Sequence, residues 1–335
     1  MGNSQWQHYL PQVYLRGFST ESGEVWRYDR ASGALKLLPP RVIGAEKDLY
    51  AVVTGEEVSQ EIERNWFSPL DGQFGPILRK IREQKTFSAN DLMHLANFVA
   101  YLRVRTPEAI RETELTIRQF ESQIGVAREK IDYRSGPPDH SSDSYVVKEE
   151  RSDTVSQRRG HAVARNEVLG VLIRTGLSIA EALIDLTWTV LVASHGRSFI
   201  VGDNPFVIVP PKFHRGDLEG VGPLTPGAAT FVPLSSELCL RFTNTGSAAS
   251  RRQIDGAAIR AINGCQVLNS ERYLFGPSNA SLNRLTAHLT DCLGVNMAEV
   301  VIREAPSVAD SSRSLLHSFK KSKVLPDWAD KVPLD

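Results

Sequence analysis

Helical periodicity fills residues 56–131 and strand patterning fills 187–245, with a polar, turn-rich stretch between them. Regions of helix and strand that stay apart along a chain are the pattern of an α+β fold. The expected architecture is an N-terminal β-hairpin and a helical bundle packed on a C-terminal mixed β-sheet with flanking helices.

A short helix is expected before the hairpin. The hairpin itself runs through Glu24–Arg30 and Ala34–Leu38, with Ser32-Gly33 at its turn. Trp26 and Tyr28 alternate with charged residues there, as a half-buried strand requires. Asp48–Val53 is a further strand. A helix is expected near Glu56, with Val58, Ile62 and Trp66 at helical spacing, interrupted at Ser68-Pro69 and Gly75-Pro76. Ser88 and Asp91 form a capping box that starts a helix running to Arg105. Thr106 then caps a charged helix that has Pro107 in its first position and extends to about Lys130.

Residues 134–160 combine turn chemistry with charge and read as a flexible linker. The organisation is therefore 1–133, the linker, a helix-and-sheet region over 161–305, and a polar tail over 306–335, or all of these as one composite domain. The helix of 161–186 has apolar residues all round and should be buried. Thr175–Ser178 should break it, with Ser178 and Glu181 as a second capping box. Strands at 188–193, 198–201, 206–209 and 230–242 follow, then a helix at 254–268, a strand at 272–275 and a helix at 278–293.

Charge limits the function. Lys plus Arg and Asp plus Glu are 39 each, so the net charge is zero. That argues against a dedicated nucleic-acid coat, although a local basic groove, and so a nucleic-acid partner, stays open. No run approaches the roughly 18 apolar residues of a membrane span, and no secretory leader is recognisable, so a cytoplasmic protein without a membrane partner is expected. Cys239, Cys265 and Cys292 are odd in number and widely spaced, which supports neither a disulfide framework nor a zinc knuckle. No Walker loop, dinucleotide fingerprint, zincin or nucleophile-elbow motif occurs.

Four stretches carry more polarity than their surroundings explain. The first, Gln7–Phe18, packs His8, Tyr9, Tyr14 and Arg16 into a turn or two; His8 either caps a helix begun by Pro11 or works in a site. The second is Arg103, which the helical wheel from Leu92 places within the apolar stripe, while Arg105 points the other way. A charge facing a core needs a partner such as Glu63 or Glu46, or a bound anion. The third is Asp203-Asn204-Pro205 between two apolar strands, either a turn or a ligand-binding carboxylate. The fourth is Glu181 with Asp185, four residues apart. They could face a metal, but Glu181 already serves the second capping box, and no metal set is assigned.

The opening His8-Tyr9-Leu10-Pro11 with Tyr14-Leu15-Arg16 and Phe18 resembles the signature of the domain-of-unknown-function 4238 family, mostly bacterial proteins. Glu46–Tyr50, Arg103–Pro107 and Phe199–Pro205 match the same family in the same order. Gly202 stands where the family often has Ser. The resemblance implies an intact member spanning about residues 7 to 275 and carries no catalytic role with it.

The opening motif, the Arg103 helix and the Asp-Asn-Pro turn are expected to meet in one pocket. One reading is a hydrolase, nuclease- or phosphoesterase-like, acting on an anionic or nucleotide-like substrate. His8 would be its acid/base, Asp203 its base or metal ligand, and Arg103 and Arg16 its clamp. Tyr9, Glu46, Tyr50, Glu63, Arg105 and Asn204 complete the ligand-binding set; no cofactor follows from the residues. The rivals are a non-catalytic module that binds or senses an anionic ligand, and a structural or interaction protein.

Overall fold

The computed structural model describes residues 5–54, 57–118, 155–210, 222–244 and 250–293, and it has the expected α+β architecture. The chain opens with strand β1 (Trp6–His8), then Pro11 leads into the one-turn helix α1 (Gln12–Leu15) and a tighter turn at Arg16–Phe18. The strand thus precedes the helix, and no side chain caps α1, so His8 is not its cap. Leu10, Tyr14, Leu15 and Phe18 are fully buried, which is what pins this short segment.

The hairpin of β2 (Val25–Asp29) and β3 (Ala34–Leu38) forms with Gly33 at φ 67° in its turn, a conformation that favours glycine. Strand β4 (Ala45–Lys47) pairs antiparallel with β1, setting Gln7 opposite Glu46. Asp48 adopts φ 54°, so the strand expected over 48–53 shrinks to β5 (Val52–Thr54). Residues near 57 are extended rather than helical, because β6 (Glu57–Ser59) pairs with β5. A π-type turn at Glu63–Phe67 then runs into α2 (Ser68–Arg82). Ser68-Pro69 starts this helix instead of interrupting it, since a proline in the first turn gives up no intrahelical N–H bond. Pro76 is accommodated inside it.

Helix α3 (Ala89–Val104) begins at the expected capping box. Thr106 Oγ1 accepts from Ala109 N at 3.2 Å to cap α4, described over 107–118. The linker expected at 134–160 lies outside the described residues as far as 154, and from Val155 the chain is helical. Helix α5 (Val155–Ile184) passes through 175–178 without a break. Gly176 is there for another reason: a Cβ on it would lie 2.5 Å from the Tyr101 ring of α3. The glycine permits a close helix crossing, and Tyr101 donates from its hydroxyl to the Ile173 carbonyl at 2.9 Å.

The second half supplies β7 (Thr187–Ala193), β8 (Val201–Gly202), β9 (Val207–Val209), β10 (Ala229–Pro233), β11 (Leu238–Thr243) and β12 (Ser250–Ile254). The single strand expected over 230–242 is thus a hairpin. Helix α6 (Gly256–Asn269), capped by Asp255, strand β13 (Tyr273–Gly276) and helix α7 (Asn279–Leu293) complete the description. The tail after 293 lies outside it. The mixed sheet is five-stranded in the order β12-β7-β11-β10-β9, with β12 parallel to β7. A second sheet, β3-β2-β13-β8, joins the N-terminal hairpin to C-terminal strands. One core cluster draws on the opening motif, α2, α3, α5 and the five-stranded sheet. Tyr14 illustrates the joining: its hydroxyl donates to the Pro233 carbonyl at 2.5 Å, across 219 residues.

Alanine favours helix over glycine by about 1 kcal/mol, yet Gly176→Ala is expected to lower stability by about 1–3 kcal/mol through the Tyr101 clash. Urea unfolding followed by circular dichroism checks the sign, and stabilisation would refute the packing argument.

Candidate functional site

The side chains of the three over-polar stretches fall into two clusters and not into one pocket. The inner cluster surrounds Arg105, whose side chain is 0% exposed. Arg105 sits just past the last residue of α3, with φ −91° and ψ 5°, so the helical wheel no longer describes its direction. Its guanidinium lies between Phe67 and Phe98, 5.6 and 5.7 Å from the ring centroids, and donates to Asp71 at 2.9 Å. The Tyr50 hydroxyl donates to the Arg105 carbonyl at 2.5 Å, and Tyr50 N donates to Gln7 Oε1 at 2.5 Å. Gln7 in turn binds Gln60.

Among the described residues, several buried polar atoms in this cluster have no hydrogen-bond partner: Arg105 Nε and Nη2, Glu63 Oε2 and His8 Nε2. Burial pushes Glu63 up to about 6, with Arg105 opposing and Asp71 adding to the rise. Burial lowers His8, against hydrogen bonding to the backbone at Arg41 and Pro40, and Arg105 lowers it further. The enclosed space beside Arg105 has room for about 10 Å³ of solvent centres, the scale of a single water and not of a substrate.

Asp203 forms the joint between the two clusters. Its Oδ1 accepts from Glu271 N at 2.8 Å, and its Oδ2 accepts from Arg272 N at 2.7 Å and Tyr273 N at 2.8 Å. A carboxylate whose two oxygens hold three backbone N–H groups is committed to shaping a turn. That corrects the expectation of a free base or metal ligand at Asp203. Burial raises its proton affinity, while these hydrogen bonds lower it. Tyr9, also buried, is pushed up by burial and then by the charges of Asp203 and Glu46.

The outer cluster centres on Glu108, in the first turn of α4. Asn204 Nδ2 donates to Glu108 Oε2 at 2.6 Å, so the Asp-Asn-Pro turn reaches α4. Burial first, then the charge of Glu112, pushes Glu108 up to about 7; Arg103 and the Asn204 bond pull the other way. Arg103 pairs with Glu112 at 3.5 Å, and its side chain is 30% exposed. The partner is neither Glu63 nor Glu46, and Arg103 and Arg105 exchange the roles read from the wheel. Arg111 binds Glu271, and both are about half exposed. Asn204 Oδ1 and Arg103 Nη1 are buried without partners.

Of the residues named from sequence, Glu46 is exposed on β4 and feels Tyr9, Tyr50 and Glu271. Arg16 is exposed on the turn after α1, and its side chain joins none of the hydrogen bonds of either cluster. Glu181 and Asp185 are exposed, and no acidic, His or Cys group among the described residues could hold a metal. Asp71, Glu108, Arg111, Glu112 and Glu271 were missed. Glu108 alone had a signal, its place directly after the Thr106-Pro107 cap. An open groove of about 630 Å³ between α5 and residues 222–225 is lined by Thr175 and Ser178 and by none of the candidate catalytic or ligand-binding residues.

These features define a class of protein: an α+β body in which an N-terminal motif and a helix end enclose one polar cluster, and an Asp-Asn-Pro turn meets a second, half-exposed one. The family model described as "Protein of unknown function (DUF4238)" matches residues 6–280, and the chain belongs to that family. Neither the curated proteins nor the solved structures contain a match to it.

Asp203→Ala should cost about 3 kcal/mol or more, since it strands three partly buried backbone N–H groups. Arg103→Gln should cost about 1 kcal/mol, as for a half-exposed pair held at 3.5 Å. Thermal unfolding of the two variants side by side checks this, and equal losses would contradict the assigned roles.

Proposed function

We propose that the outer cluster is a site for an anionic small molecule, nucleotide-like in charge, and that its chemistry is hydrolytic with Glu108 as the acid/base group. The observation that carries this reading is one carboxyl group, braced by Asn204 and flanked by Arg103, whose proton affinity lies near neutrality at about 7. A group half-ionised at working pH is suited to moving protons, and guanidinium groups at the mouth suit a negative substrate. Glu108 would take a proton from water as the water oxygen attacks, then return that proton to the leaving alcohol. Arg103 and Arg111 would hold the anion. In this reading His8, Asp203 and the Arg105 cluster shape the site and do not react.

A non-catalytic, ligand-sensing role is the second reading. It is favoured by the pairing of Arg103 and Arg111 with Glu112 and Glu271, which leaves little uncompensated charge to drive turnover.

Thermal shift against phosphate esters, nucleotides and short nucleic acids, followed by a turnover assay on whatever binds, separates these readings. Binding that Arg111→Gln abolishes, with turnover that Glu108→Gln lowers about 100-fold or more, supports the hydrolase. Binding without turnover leaves the sensor, and no binding rejects both.

The Glu108 carboxyl also has a stability signature. Its folded proton affinity lies above the ordinary value of 4.5, so the fold favours the protonated form. That contribution is complete below pH 4.5 and is lost as pH rises through about 7. Glu108→Gln should therefore gain about 1–3 kcal/mol over wild type above neutrality and nothing at the acid end. Urea midpoints measured across pH check the slope, and a gain that persists at low pH would overturn the assignment.

A further inference from the structure

We propose that Arg27, Arg272 and Tyr273 form a second anion subsite, so that the ligand carries two separated anionic groups. The inference rests on the reading of the Glu108 cluster for the first anion and adds a place for the second. Arg27 and Arg272 both lie over the Tyr273 ring, each with its guanidinium carbon 4.8 Å from the centroid. Asp29 holds Arg272 through two bonds, at 3.1 and 3.3 Å. Arg27 makes no hydrogen bond or ion pair among the described residues, and its buried Nε has no partner.

A third cation stands beside it. Lys36 on β3 is directly opposite Arg27 on β2, so the two side chains share one face. Like charges directly opposite on adjacent strands repel. The patch therefore holds three cations against the single carboxylate of Asp29, in a chain whose total charge is zero. A phosphate or carboxylate beside Arg27 and Lys36 would relieve that repulsion and supply an acceptor to the one Arg27 donor that lacks it.

The two subsites adjoin through the backbone. Glu271, which binds Arg111 at the outer cluster, directly precedes Arg272 and Tyr273, and the Asp203 carboxylate fixes the N–H groups of all three. A ligand reaching both places spans the entry to β13. Its class is a small molecule with two phosphate-like groups, either a nucleoside bisphosphate or a sugar bisphosphate.

Isothermal titration of the full chain with inorganic phosphate, a nucleoside bisphosphate and a sugar bisphosphate tests this. At least one bisphosphate should bind about tenfold or more tightly than phosphate, and which one does identifies the source of the anions. Arg27→Gln should remove that preference while leaving phosphate affinity within about twofold, and Arg27→Lys should retain part of it. A preference unchanged in a folded Arg27→Gln overturns the subsite. Should Arg111→Gln leave phosphate binding intact, the reading of the Glu108 cluster fails, yet a lost preference in Arg27→Gln still supports the subsite. No binding of any probe overturns both.

Discussion

The buried guanidinium of Arg105 is the constraint around which the first half of the chain is arranged. A fully enclosed charge is tolerable only with a partner, and Asp71 of α2 provides it. The aromatic rings of Phe67 and Phe98 close the space on either side, and the Tyr50 hydroxyl engages the adjoining carbonyl. Gln7 then takes the Tyr50 backbone N–H, which sets β1 against the chain before β5. Removing one member of such a pair leaves an uncompensated charge in the core, typically at about 3–5 kcal/mol. The end of α3, the start of α2 and the opening motif therefore form as one unit.

Asp203 does the corresponding work in the second half. Three backbone N–H groups converge on its carboxylate and fix the entry to β13, the strand that the N-terminal hairpin pairs with. Neighbouring groups support the same turn: Gln266 and Asn269 of α6 donate to the carbonyls of Pro205 and Asn204. A Cβ on Gly202 would lie 2.8 Å from Ser270 Cβ, so a glycine lets β8 approach the end of α6 this closely. Polar residues that look like chemistry in the sequence are here the ones that organise a chain crossing.

How much of this was legible follows from how local each signal is. The capping box at Ser88, the Thr106-Pro107 helix start and the Gly33 turn were readable because each depends on a few neighbouring residues. The continuity of α5 was not, since Gly176 is explained by Tyr101, which lies 75 positions earlier. Nor were β5 and β6, whose pairing outweighs a helical spacing of apolar residues. The enclosure of Arg105 could not be read either, because helical geometry stops at Val104 and a helical wheel does not describe the direction of the residue after it. Glu108 owes its raised proton affinity to burial first and then to the charge of Glu112, against the pull of Arg103 and Asn204, and burial is a property of the folded chain alone.

The same physics separates the two clusters by role. Around Arg105 the polar atoms are enclosed, the free space is water-sized, and any ligand would have to displace packed aromatic rings. Around Glu108 the charges are paired in twos at half-exposed positions, where water screens each pair and makes it weak. Weak pairs are the ones a stronger anion can exchange. A carboxylate released from Arg111 or Arg103 would then face Glu108, whose protonation at neutral pH already lessens the repulsion among the three glutamates. In the proposed reading, an incoming anion and a proton on Glu108 would favour each other at this mouth. The Asp203 turn, whose carboxylate holds the backbone N–H groups of 271–273, positions Glu271 for that exchange.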